Sequence, residues 1–277
     1  MIRLLKIEWL KLKHFKAFWI LLVGFALVTI LVGSSGSWIL NFLKNQGAEY
    51  NGISPSIIPL YDFPDVWQNM AYILGYFKIV LAFILVISIS NEFSHRIVRQ
   101  NIIDGLSKKE WMISKFLTMG MLSFFATSLL FLTGLINGLF LAHPDSLMNV
   151  FSNMDILAGY WLEIFTYLCF STVITLLIRK PGIVIVGLFL YTLMFEPLLT
   201  VILIEGADEF KYVKDYHAVI GQLFPVRSLM NLIHPPFPKY VFYEVQDYIS
   251  FKEFGVVMAW LGIYIGTIYW LLRRKDL

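Results

Sequence analysis

Six stretches of almost unbroken apolar residues run along the chain, at 17–40, 70–90, 115–142, 156–178, 183–204 and 254–272. An α-helix rises 1.5 Å per residue, so each stretch can cross about 30 Å of hydrocarbon. The pattern predicts an all-α membrane protein with six transmembrane helices. Trp19, Trp38, Tyr72, Tyr160, Trp161 and Trp270 fall near the ends of these stretches, where amphipathic rings settle at the membrane–water interface. Ahead of the first stretch, residues 1–16 interleave apolar and basic positions. On a helical wheel Ile2, Leu5, Trp9 and Leu12 share one side and Arg3, Lys6, Lys13 and His14 the other, with Leu10 and Lys16 out of place. This division predicts an N-terminal interfacial helix lying on an anionic membrane surface. A secretory signal is the competing reading. The apolar run that follows exceeds the roughly 7–15 residues of such a signal and lacks a convincing cleavage site.

The basic residues are unevenly shared among the connections. Residues 1–16 carry Arg3, Lys6, Lys11, Lys13 and Lys16. The second-to-third connection carries Arg96, Arg99, Lys108, Lys109 and, at its edge, Lys115. Arg179 and Lys180 join the fourth stretch to the fifth, and Arg273, Arg274 and Lys275 follow the sixth. The alternate connections hold fewer although they are longer in total: Lys44 is alone in the first, and residues 143–155 have none. The positive-inside rule then puts both termini in the cytoplasm of a multi-pass cell-membrane protein. Two connections on the other side are long. Residues 41–69 contain Pro55, Pro59 and Pro64. Residues 205–253 form a large external loop with Pro235, Pro236 and Pro238, in which 217–233 is apolar enough to dip back toward the membrane; a folded external cap is the alternative.

Composition agrees with lipid as the solvent. Of 277 residues, 58% are hydrophobic and 15% charged, against roughly 25% charged in soluble domains, and the mean hydropathy is +0.71. The length suits one transmembrane domain over 1–277. A net charge of +3 is too small to point to nucleic acid. The one cysteine, Cys169, lies in an apolar run and excludes an intrachain disulfide.

Residues 91–115 carry the most specific pattern. Glu92 to Asp104 reads as a short helix with Phe93, Ile97 and Ile103 available to pack. Gly105 ends it at a position that favours positive φ. Ser107 and Glu110 form an S-x-x-E capping box that starts the next helix. The run of Glu92, Arg96, Gly105, Ser107, Lys108 and Lys115 resembles the ABC-2 type permeases, the membrane subunits of ABC exporters, although His95-Arg96-Ile97-Val98 stands where that family commonly carries Gly-Thr. The overall plan resembles theirs too. The resemblance implies that residues 91–110 form a cytoplasmic coupling segment docking into a separate ABC ATPase subunit, with Glu92, Arg96, Ile97, Gly105 and Ser107 as ATPase-coupling residues. It implies further that two permease copies, or two related permeases, enclose a path out of the cytoplasm; the aromatic, apolar spans fit an amphipathic cargo. No G-x-x-x-x-G-K-[ST] loop occurs in the sequence, so no cofactor is expected on this chain, and ATP and Mg would sit on the partner.

Other motifs are weaker. Gly33-Ser-Ser-Gly36 matches a protease-like G-x-S-G, but no later apolar stretch contains histidine, and close helix contact explains the small residues. The five histidines show no short metal-ligand spacing, so neither a metal nor a catalytic residue is expected. Ionisable residues within the apolar stretches are costly to bury. Lys78, Glu163 and Glu196 lie at similar depth, as candidates for a transport pathway or for a buried ion pair, with Lys78–Glu196 as the first pairing and Glu163 as the substitute. Pro197 is expected to bend the fifth stretch. Two other readings stay open: a membrane enzyme whose site in the external loop uses Asp208, Glu209, Asp215, His217 and Arg227, and a channel or scaffold.

Overall fold

A computed structural model describes residues 2–47, 59–141, 147–205, 221–236 and 248–274. Among these every regular element is helical. In order they are α1 (Ile2–Lys13), α2 (Lys16–Asn45), α3 (Asp65–Gly75), α4 (Lys78–Ser94), α5 (Ile97–Ile103), α6 (Lys108–Leu141), α7 (Leu147–Val150), α8 (Asp155–Ile178), α9 (Pro181–Leu190), a π-helical turn (Tyr191–Phe195), α10 (Glu196–Glu205), α11 (Pro225–Met230) and α12 (Phe251–Arg274). Among the described residues, five helical spans are long and apolar enough to cross a membrane: Lys16–Ile39, Lys108–Leu141, Asp155–Ile178, Pro181–Leu203 and Phe251–Arg274. The chain is a multi-pass helical membrane protein.

The stretch expected at 70–90 departs from the pattern. It is divided into α3 and α4, which bend by 46° at Tyr76–Phe77. The α3 ladder gives way to tighter bonds there, from Phe77 N–H to Leu74 C=O and from Val80 N–H to Phe77 C=O. The break places Lys78 as the first residue of a new helix. Gly75 lets the Glu163 carboxylate approach closely, since a Cβ there would stand 3.1 Å from Glu163 Oε1.

The middle of the bundle is α8. Of its most apolar window 61% is buried, against 17% for that of α2, which presents Ile20, Val23, Leu27 and Leu31 outward. Helices α3, α4, α6 and α12 pack around α8. Small residues permit several close crossings. Tyr61 seats its hydroxyl in the Gly33–Gly36 stretch, donating to Gly33 C=O and accepting from Gly36 N–H, both at 2.9 Å. Asn137 donates to Ser34 Oγ at 3.1 Å. The G-x-S-G stretch is thus a packing surface.

Four chain segments meet at one end of the bundle. Glu8 of α1 bonds Lys115 of α6. The Arg179 guanidinium, in the α8–α9 turn, lies 4.9 Å over the Phe93 ring. Lys108 donates to the Leu272 carbonyl at 3.3 Å. The basic clusters of the sequence therefore share one pole. At the opposite pole, α11 and the residues after it bury Val226, Leu229, Leu232 and Ile233, and Gln68 donates to the His234 carbonyl at 3.0 Å.

Helix α1 sets its 4-8-12 side on the bundle, burying Leu4, Glu8 and Leu12. Of the expected apolar side, Leu12 is buried, while Ile2, 83% exposed, and Trp9 face outward. The Glu8–Lys115 bond holds the helix against α6 in this orientation.

Candidate functional site

Two buried ionic clusters occupy opposite ends of α4. Lys78 begins that helix and Glu92 lies fourteen residues on, about 21 Å away at 1.5 Å per residue.

At the basic pole, Lys115 Nζ lies 2.6 Å from Glu8 Oε2 and 2.5 Å from Glu92 Oε1. Lys11 Nζ reaches the same two side chains, at 3.1 Å from Glu8 Oε1 and 3.3 Å from Glu92 Oε1. Trp111 Nε1–H donates to Glu92 Oε2 at 2.8 Å, and the Ser114 hydroxyl to Glu8 Oε1 at 3.2 Å. Two carboxylates and two ammonium groups balance in charge, and every carboxylate oxygen accepts a bond, which is what buried charges need. Burial alone pushes the Glu8 carboxyl up, but the Lys115 and Lys11 ammonium groups outweigh it and hold the group below its ordinary 4.5. The network joins α1, α4 and α6. The sequence reading missed Glu8 and Lys11; Glu8, an acid on an otherwise basic helix, was the available signal.

The coupling-segment residues divide around this network. Glu92 is 3% exposed and ends α4 instead of opening a short helix. Arg96 adopts φ 57° between α4 and α5, and its side chain is exposed. Ile97 is half-buried, Val98 is the buried contact, and Ile103, expected to pack, is 76% exposed. Gly105 has φ 96°. Its N–H bonds Ile102 C=O and the Leu106 N–H bonds Asn101 C=O, the paired bonds of a Schellman turn. Ser107 N–H then donates to Glu110 Oε2 at 2.9 Å, and Glu110 N–H to Ser107 Oγ at 3.2 Å, a complete capping box. The result is an exposed elbow carrying Arg96, Arg99 and Lys109.

At the other end of α4, Lys78 Nζ bonds Glu163 Oε1 at 2.5 Å, with both side chains buried, and lies 5.6 Å from the centre of the Tyr167 ring. The expected first partner, Glu196, does not bond Lys78: its Oε1 accepts the backbone N–H of Arg227 at 2.5 Å. Depth alone allowed both carboxylates, and Gly75 leaves room for Glu163 to approach. Glu196 is 2% exposed and follows the π-helical turn directly. Pro197 lacks an N–H and so leaves the usual acceptor of that position, Leu193 C=O, without its helical bond. The wider turn, closed from Glu196 N–H to Tyr191 C=O, absorbs the fault. Lys78 and Glu196 line a cavity of about 260 Å³ together with Tyr76, Leu193, Arg227 and Met230.

Of the external-loop cluster, Asp208, Glu209, Asp215 and His217 lie outside the described residues, and Arg227 is exposed beside the cavity. Among the described residues no group of three metal-ligating side chains gathers. The chain matches no protein-family model, no curated protein and no solved structure.

Proposed function

We propose that this chain is the permease subunit of an ATP-driven exporter of the ABC-2 type, which works with an ABC ATPase carried on a separate chain. In this reading α3 and α4 together form one broken span, giving six. The shared basic pole faces the cytoplasm and holds both termini, α1 lies along the membrane surface, and a second copy or a related permease completes the transport path. The observation that carries the reading is the α5 elbow. It is exposed and basic, and the buried Glu8–Lys115–Glu92 network ties its base to α1, α4 and α6. A partner pushing on Arg96 and Arg99 would move these helices together. Glu92 then acts as a positioning residue, through the network. Ile97, Gly105 and Ser107 shape the elbow, and this chain performs no bond chemistry.

The chain, tagged and purified from its native membrane in mild detergent, should bring down an ATPase subunit in stable ratio. Arg96→Glu with Arg99→Glu should release that subunit while the permease still elutes as a single folded species. Purification without any nucleotide-hydrolysing partner, from cells in which the neighbouring reading frames are intact, would defeat the proposal.

A further inference from the structure

Several cations of the basic pole are matched within the chain. Lys11 and Lys115 pair with Glu8 and Glu92, and Arg3 pairs with Glu110. Arg179 and Arg274 lie over the Phe93 and Trp270 rings. Lys109 and Arg273 are different. Both are exposed, and among the described residues neither has an ion-pair partner. They come from opposite ends of the sequence, yet they line one cavity of about 150 Å³ between the start of α6 and the end of α12, with Lys108, Met112, Tyr269 and Leu272. The Lys108 bond to the Leu272 carbonyl ties the two helix ends together beside it. Among the described residues that line this cavity three are basic and none is acidic.

We infer that this cavity binds the phosphate of an anionic glycerophospholipid from the surrounding membrane, with Lys109 and Arg273 as its charge partners. Depth favours a lipid. Helix α12 has 24 residues, or about 36 Å at 1.5 Å per residue. That exceeds about 30 Å of hydrocarbon and falls short of the 40–45 Å that includes the headgroups. The last turn of α12, with Trp270 and Arg273, therefore lies among headgroups. Chemistry favours phosphate. Ammonium and guanidinium groups both donate charge-assisted hydrogen bonds to phosphate oxygens, and a void of this volume takes a group about the size of benzene, enough for one phosphate. The apolar part of the lining favours a tailed ligand over free phosphate. Met112 and Phe116 stand one turn apart on α6, and Tyr269 and Ile265 one turn apart on α12. They lead from the cavity toward the middle of the membrane, where an acyl chain can lie along them. A zwitterionic lipid would bring its own ammonium to two cations that lack an acid. The inference does not rest on the export reading.

The chain, purified in mild detergent, is titrated with dioleoylphosphatidylglycerol or dioleoylphosphatidylcholine, and bound lipid is counted by native mass spectrometry. The first phosphatidylglycerol should bind at least about tenfold more tightly than phosphatidylcholine. Lys109→Gln with Arg273→Gln should weaken that binding by at least about tenfold, since each basic residue near the membrane surface contributes about fivefold. Lys6→Gln with Lys13→Gln removes the same charge from exposed positions of α1 and should weaken it by less than about twofold. Met112→Trp, which fills the cavity and keeps its charges, should elute like the wild type and lose the tight lipid. Equal binding of the two lipids, or equal losses in the two charge variants, would overturn the site and leave only a general attraction of the pole for anions. Displacement of the lipid by glycerol 3-phosphate at equal concentration would show a site for free phosphate and overturn the lipid assignment. Release of a copurifying protein by Lys109→Gln with Arg273→Gln, with lipid binding unchanged, would give the cavity to an acidic protein segment instead.

Discussion

Lys115 is buried between two carboxylates that come from different helices, and removing it would leave Glu8 and Glu92 facing each other with only Lys11 between them. Lys115→Met should therefore destabilise the protein by about 3–5 kcal/mol, the usual cost of breaking a dry ion pair on one side, read as a fall in the unfolding temperature in detergent. A loss below about 1 kcal/mol would mean that water reaches the network. The pH response has a definite sign. Glu8 is held below its ordinary 4.5 in the folded protein, so its contribution is present above that value and fades as pH falls through the lowered one. Wild-type unfolding temperature should drop on acidification below about pH 4.5, and Glu8→Gln should show a smaller drop. The Lys78–Glu163 pair supports a parallel test. Lys78→Met should reduce the folded yield, and Lys78→Met with Glu163→Gln should restore part of it, because the second change removes the stranded carboxylate. A double variant no better than the single one would show that the pair does not act as a unit.

At the scale of elements, the α5 elbow and the α3–α4 break illustrate two kinds of legibility. The elbow is written locally. Gly105 takes positive φ, and Ser107 and Glu110 cap the next helix within four residues of each other, so spacing alone revealed them. Gly105→Val should strain this turn by on the order of 1–3 kcal/mol. Its expected mark is faster amide exchange over α5 and the first turn of α6, with little change in α8; unchanged exchange at the elbow would show that the turn tolerates a side chain. The break was not legible, because no proline falls at Tyr76–Phe77 and Gly75 is permissive without being decisive. What holds the bend is a carboxylate from α8, 85 residues away in sequence from Lys78. The same distance problem hid the side of α1 that packs on the bundle. A helical wheel scores Glu8 as an exposed charge, since nothing in residues 1–16 reveals a partner at Lys115.

For the whole molecule, hydrophobic pattern and charge asymmetry were enough to read an all-helical membrane protein, and the gathering of Lys11, Lys108, Arg179 and the end of α12 at one pole gives the asymmetry a spatial form. Topology can be tested on this geometry. In a Cys169→Ser background, Ser107→Cys, exposed at the basic pole, should be labelled by an impermeant reagent only after membranes are opened. Tyr248→Cys, at the opposite pole and 61% exposed, should be labelled on intact cells. Labelling in the reverse pattern would invert the orientation. The Lys78 end of the bundle was only partly readable: Lys78, Glu163 and Glu196 were found by their cost in lipid, whereas the cavity depends on the α11 segment packing beside α10, which no local pattern announces.

The basic-pole network also imposes an order on biogenesis. Glu8 and Lys11 leave the ribosome first, Glu92 follows, and Lys115 comes 107 residues after Glu8. At about 5–20 residues per second, that interval is roughly 5–20 s. Through it Glu8 has only Lys11, one turn along the same helix, as a charge partner, and the pair can be solvated by polar headgroups and water but not by the membrane interior. When Lys115 arrives, it draws α1 against α6 and closes the knot. The arrival of one lysine thus ties α1 and α4 to the start of α6 before α8, the middle of the finished bundle, has been made.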